Sequence, residues 1–263
     1  MILVGTAGYS YDDWKGVFYP PDIDPRHMLS FYAGEFKFAE INSTYYRMPT
    51  SYMLWHMQEK TPADFEFVVK AYKGLTHERD RLGEHAAKFM EALRPLRDSC
   101  KLGCVLAQFP TSFKCSSENT AYLSNLRAEL PEVEVQVEFR SREWTENTDT
   151  FDFLSRHSLG FVCVDEPQFR ALCPPLVRST SEIGYVRFHG RNYQKWWKHE
   201  NAYERYDYLY SEAELKEWVP RIKELAGSTK KVYVTMNNHY QGKSVINGRM
   251  LKQLLLLDGS ATL

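Results

Sequence analysis

The 263-residue chain is short of the features that mark many protein classes, and each shortage excludes something. Cysteine is sparse: Cys100, Cys104, Cys115, Cys163 and Cys173, an odd number with no CxxC pair. That argues against a disulfide framework or a zinc ribbon and for reduced thiols in a cytoplasmic protein. Net charge is small, at -1, so no global field draws polyanions, and any anion site must be a local cluster. No apolar run approaches membrane-spanning length, and MILVGTAGYS lacks the basic start of a secretion signal, so no membrane partner is expected. A GxGxxG turn, a P-loop, a GxSxG elbow and an HExxH pair are all missing. Dinucleotide binding of the doubly wound kind, P-loop phosphate binding, serine-nucleophile chemistry and zincin chemistry lose their sequence support.

What is present is regular. Apolar residues make up 43% and charged residues 25% of the chain, which suits a globular protein able to bury a core without metals or disulfides. Short runs rich in Val, Ile, Phe and Tyr recur at 2–6, 38–42, 65–70, 103–109, 134–139, 160–165, 184–189 and 231–236. Each reads as a strand. Between them lie helix patterns with recognisable starts: Asp24-Pro25 opens 26–34, Thr50 opens a helix to Lys60, and Ser116 or Ser117 opens one to Glu129. Further helices are read at 84–98, bent or ended by Pro95, at 149–157, and at 242–257. Ser211 to Glu214 forms a capping box that opens a helix to about Ala226. Only 166–183, with Pro167, Pro174 and Pro175, has no helical pattern.

Strand alternating with helix eight times implies a parallel sheet with crossovers. In about 250 residues this predicts a single (β/α)8 TIM barrel over 1–263, with a degenerate helix between strands six and seven. Catalytic groups of such barrels sit at the C-terminal strand ends. Every strand here turns polar at that end. Strand two ends in Glu40 and Asn42, strand three in Lys70, strand four in Gln108, and strand five in Glu138 and Arg140. Strand six ends in Asp165, strand seven in Arg187, His189 and Arg191, and strand eight in Asn237, Asn238 and His239.

Alternation with Val186 and Phe188 would turn Arg187 and His189 into the barrel. A charge inside a strand must be paired or belong to a site. A structural salt-bridge network is therefore the competing reading for Arg187, Glu138, Glu40 and Lys70. Lys70, Arg140, Arg187 and Arg191 suit a phosphate, sulfate or carboxylate. Glu138, Glu40 and His189 are the candidate acid–base groups. Asn42, Asn237, Asn238 and His239 add ligand-binding donors and acceptors. The loop after strand seven, 192–211, mixes Trp196 and Trp197 with lysines and tyrosines and could stack bases or sugars. No metal site is assigned, since the strand-end histidines and carboxylates show no metal-ligand spacing. The sequence names no cofactor.

Taken together, several motifs resemble the YecE-like family, built on domain of unknown function 72. They are Gly5-Thr6-Ala7-Gly8-Tyr9, Trp14-Lys15-Gly16 with Phe18-Tyr19-Pro20, Glu40 to Tyr46, and Phe67 to Lys70 with Thr76-His77. Gln108-Phe109-Pro110, Val137 to Arg140 with Trp144, Tyr185 to Arg191, and Asn237-Asn238-His239 complete the set. Ala7 and Tyr9 stand where that family more often has Ser and Trp, and Met236 where it has Phe. The resemblance implies a TIM barrel. Through its likeness to apurinic-endonuclease and sugar-isomerase barrels, it also raises nucleic-acid binding. Three functions follow as expectations: acid–base catalysis on a phosphate-bearing anion, non-catalytic or repair-related nucleic-acid binding, and glycoside hydrolysis by paired carboxylates.

Overall fold

A computed structural model describes residues 1–257. Eight parallel strands close into a barrel in sequence order: β1 (Ile2–Ala7), β2 (Phe38–Ile41), β3 (Glu66–Lys70), β4 (Leu102–Gln108), β5 (Val135–Glu138), β6 (Leu159–Asp165), β7 (Ile183–Phe188) and β8 (Lys231–Met236). The β1–β8 ladder that closes it runs from Ile2 opposite Val232 to Thr6 opposite Met236. The (β/α)8 expectation holds, and all eight strands lie within two residues of the ranges read from the sequence.

The segment between β6 and β7 carries no helix, as its prolines imply. Elsewhere helices cover the barrel. Asp24 caps a turn that leads into Met28–Ala33, Thr50 caps Ser51–Glu59, and Ser116 caps Ser117–Glu129 through its side chain. Their inner faces, with Leu54, Phe89, Leu93, Leu126, Leu154, Ile222 and Leu251 all buried, pack on the strands' outward residues.

One helix expectation holds in its range, and another needs correction. Leu82–Asp98 passes through Pro95 without ending there. Pro95 has no N–H to give the Glu91 carbonyl, and the Ser51 hydroxyl donates to that carbonyl instead, at 3.1 Å. The capping box at Ser211 opens only Glu212–Lys216, and a second helix, Val219–Ser228, starts afresh with Pro220 in its first turn. No helix among the described residues is long and apolar enough to cross a membrane.

Inside the barrel the N-terminal half is aromatic. Phe38 and Tyr233 pack at 4.9 Å between centroids, and Tyr233 meets Tyr185 at 6.0 Å. Gly5 permits this. A Cβ there would lie 2.5 Å from the Phe38 carbonyl oxygen and 2.8 Å from its ring. Gly5→Ala should therefore lower stability by about 1–3 kcal/mol, the usual cost of overpacking a close-fitting interior. Chemical denaturation would reveal this as a lower midpoint with an unchanged slope. Above this layer the interior turns polar, which is unusual for a barrel core normally filled by branched apolar side chains.

Candidate functional site

Residues that face each other across the barrel must point inward, and this fixes the site. Arg187 on β7 reaches Glu40 on β2, a strand that is not its neighbour. Its Nε donates to Glu40 Oε2 at 2.8 Å and its Nη2 to Oε1 at 2.6 Å, a bidentate pair. Its Nη1 donates to Glu138 Oε2. The Tyr185 hydroxyl adds a 2.5 Å bond to Glu40 Oε2. All four residues are buried.

Arg140 continues the chain outward. Its Nε lies 2.8 Å from Glu138 Oε1, and its Nη1 donates to Glu166 Oε2 at 2.6 Å. The Asn237 amide lies 2.9 Å from His189 Nδ1, and His189 Nε2 lies 3.2 Å from Glu138 Oε1. Asn237 as donor leaves the proton of a neutral His189 on Nε2, facing the carboxylate.

The protonation states follow from this geometry. Burial alone would raise Glu138, but Arg187, Arg140 and His189 outweigh it and hold the carboxyl well below its usual range. Burial and then Arg140 push His189 down to about 3, so the imidazole stays neutral at ordinary pH. Glu166 differs. Burial raises it to about 7 despite Arg140, and its Oε1 is buried without a hydrogen-bond partner. Lys70 is lowered to about 8, first by burial and then by Arg187. It donates to Gln108 Oε1 at 2.9 Å and lies 4.7 Å from the Tyr45 ring, with no carboxylate at ion-pair distance among the described residues. One of three ammonium N–H groups is thus committed and two are not. His77, edge-on to Tyr45, is lowered to about 4 by burial, then by Lys70, Arg140 and Arg79. This stretch of the mouth is electropositive.

The strand-end residues do not all converge. Glu40, Glu138, Arg187, Arg140, His189 and Asn237 form one network, with Lys70 and Trp196 beside it; the Arg140 guanidinium lies 5.9 Å from the centroid of the buried Trp196 ring. Asn42 and His239 sit on the rim, each with a buried side-chain atom that lacks a partner, and His239 stacks on Tyr11 at 4.7 Å.

Three candidates lie elsewhere. Arg191 forms a fork with Asp165 at 2.9 and 2.7 Å outside the barrel, where Tyr210 and Trp218 also donate to that carboxylate. Asn238 binds Asn247 and the Tyr208 carbonyl, tying β8 to the last helix. Trp197 is exposed and packs beside Phe169.

Glu166 was not singled out in the sequence because Asp165 ends the strand. Alternation held the clue. Val162 and Val164 pair with the inward Tyr185 and Arg187, so Glu166 shares their side and Asp165 does not. Metal-ligand types come together in one group among the described residues, Glu78, Asp80 and His85, whose ligand atoms lie within 4.8 Å of one another. Lys73 and Arg81 already neighbour its two carboxylates.

Comparison with known proteins agrees with this architecture. A family model described as "Protein of unknown function DUF72" matches residues 3–262. The UPF0759 protein YunF of Bacillus subtilis (strain 168) is 33% identical over 275 residues, covering 99% of this chain and 96% of that protein. The crystal structure of a DUF72 family protein from Thermotoga maritima MSB8 is 41% identical and superposes with a TM-score of 0.90, covering 97% of this chain and 99% of that one. Another, from Enterococcus faecalis V583, gives 26% identity and a TM-score of 0.87 over 97% and 96% of the two chains. A family model and a relative that both span nearly the whole chain make this protein a member of the DUF72 family.

Proposed function

We propose that the mouth of the barrel binds a small phosphate-bearing anion and performs acid–base chemistry on it. The observation that carries this reading is Lys70, an ammonium with two uncommitted N–H groups beside Arg140 in an electropositive patch. Glu166 is the proton carrier, since a carboxyl poised at about 7 with a free oxygen can give or take a proton near neutral pH. Glu138 and His189 hold fixed protonation states and, with Glu40, keep Arg187 and Arg140 in place.

The charge balance supports this division. With Glu166 ionised, Lys70, Arg140 and Arg187 are matched by Glu40, Glu138 and Glu166. With it protonated, one positive charge is left over, so anion and proton enter together. Glycoside hydrolysis is less favoured, because an arginine stands between Glu40 and Glu138 and another between Glu138 and Glu166. Nucleic-acid binding has one observation in its favour, the rim cluster of Phe169, Tyr193 and the exposed Trp197.

Inorganic phosphate is the test. At a hundred times its dissociation constant it should add about 2.7 kcal/mol, a rise of roughly 5–10 °C in the melting midpoint. Lys70→Met, close in volume and without charge, should abolish the rise. A phosphate response equal in the variant and the parent refutes the assignment. Stabilisation by single-stranded RNA alone, fading steeply with salt, would transfer the function to the rim cluster.

A further inference from the structure

We propose that the anion taken by this site is a sugar phosphate, its hydroxyl groups donating to acceptors that the mouth leaves unsatisfied. This rests on the anion-binding reading above and goes on to name the rest of the ligand. Buried side-chain polar atoms are almost always hydrogen-bonded, so those without a partner at a mouth point to what belongs there.

Such atoms include three just beyond strand ends on this rim: Asn42 Oδ1 after β2, Glu166 Oε1 after β6 and His239 Nδ1 after β8. The amide oxygen of Asn42 can only accept. The Glu166 oxygen accepts when ionised and donates when protonated. His239 is kept neutral, chiefly by burial, so its Nδ1 accepts in one tautomer and donates in the other. Lys70 and Arg140, by contrast, can only donate. The site therefore presents donors on the β3–β5 side and acceptors around the remainder. A phosphate dianion offers acceptors alone and would leave Asn42 unsatisfied. A neutral sugar offers hydroxyls and would leave Lys70 without a counter-charge. A phosphate carried on a polyhydroxylated ring meets both demands.

The rim supplies a surface for the ring. Tyr46 stands edge-on to Tyr45 at 4.9 Å and is 74% exposed, with no hydrogen bond to its hydroxyl among the described residues. Tyr206 leans on His239 at 5.4 Å, and Tyr11 stacks on the same imidazole at 4.7 Å. Loops after β1 and β7 thus bring phenol rings together on His239, and the loop after β2 sets Tyr45 and Tyr46 beside Lys70. Aromatic faces with polar tips suit the C–H faces and hydroxyl edges of a sugar.

Calorimetric titration with methyl phosphate, glycerol 3-phosphate, ribose 5-phosphate, glucose 6-phosphate and free ribose separates the possibilities. At least one sugar phosphate should bind about tenfold or more tightly than methyl phosphate, the increment of one or two well-placed hydrogen bonds. Asn42→Ala should remove most of that advantage and leave methyl phosphate unchanged. The Asn42 side chain makes no cap hydrogen bond, so its truncation spares the fold. If methyl phosphate binds and no sugar phosphate binds more tightly, this inference fails while the anion site stands. If the Asn42→Ala variant keeps the full sugar preference, the assignment of the acceptor is wrong. If methyl phosphate fails to bind, or ribose binds as well as its phosphate, the anion reading itself falls and takes this one with it.

Discussion

Arg187→Ala is expected to be among the most damaging single substitutions in this barrel. Truncation leaves Glu40 and Glu138 buried in the interior without the cation that bridges them. Breaking a buried pair from one side costs about 3–5 kcal/mol, because the remaining charge has neither water nor partner. For a chain of this size that lowers the melting midpoint by roughly 6–20 °C. Arg187→Lys should recover little, since one ammonium cannot reproduce the two-carboxylate fork.

Two controls identify the cause. Adding Glu138→Gln to Arg187→Ala should restore part of the loss, a non-additivity expected of groups in one network. The gap between parent and variant should also narrow in acid. Glu138 in the parent is held below its ordinary value of 4.5, so its contribution is present above that pH and is lost as pH falls toward its folded value. In the variant Glu138 keeps Arg140 but loses its larger electrostatic partner, so the carboxyl takes up its proton more readily and the penalty shrinks at low pH. A gap that stays constant from pH 7 to pH 4 would mean that Arg187 acts through packing alone.

Glu166→Gln should do the reverse and stabilise the fold at alkaline pH. A carboxyl raised from 4.5 to about 7 contributes stability that is complete below 4.5 and is lost as pH rises through 7. The difference corresponds to roughly 3 kcal/mol. The glutamine oxygen can still accept from Arg140, but it has no charge to desolvate. Relative to the parent, the variant should therefore gain between pH 5 and pH 8, levelling off beyond. Only the difference is diagnostic. His189 and His77, lowered to about 3 and about 4, make both proteins more stable as pH rises toward 6.5, and this cancels in the comparison. The same substitution should flatten the pH dependence of sulfate binding, a probe that stays doubly charged throughout. In the parent that affinity should decline as Glu166 ionises. A parallel pair of melting curves across the range would remove Glu166 from the proton-carrying role.

The fold was legible almost completely, because strand period and helix caps are local signals and this chain obeys them. The site was legible in part, and the errors share one cause. Polar residues at a strand end come in runs, and a shift of one residue exchanges inside for outside. Asp165 and Glu166, and Asn237 and Asn238, are two such pairs. In each, one member faces the mouth and the other serves the scaffold. The charges themselves were plain in the sequence. That Arg187 is consumed by carboxylates while Lys70 is not depends on side chains meeting across the lumen, and no spacing rule carries that information. Pro95 teaches the same lesson on a small scale: the helix survives because a serine forty-odd positions earlier takes the abandoned carbonyl.

The bridge between β2 and β7 also bears on how the chain assembles. Glu40 and Arg187 are separated by 147 positions, and Glu138 and Arg187 by 49. A nascent chain released as far as β6 already holds both acids but not the arginine that bridges them, which favours keeping Glu40 in water and the inner layer open. Contacts this distant demand most of the loop-closure entropy before they return anything. The bridge from Glu40 to Glu138 therefore closes only once β7 has joined the barrel.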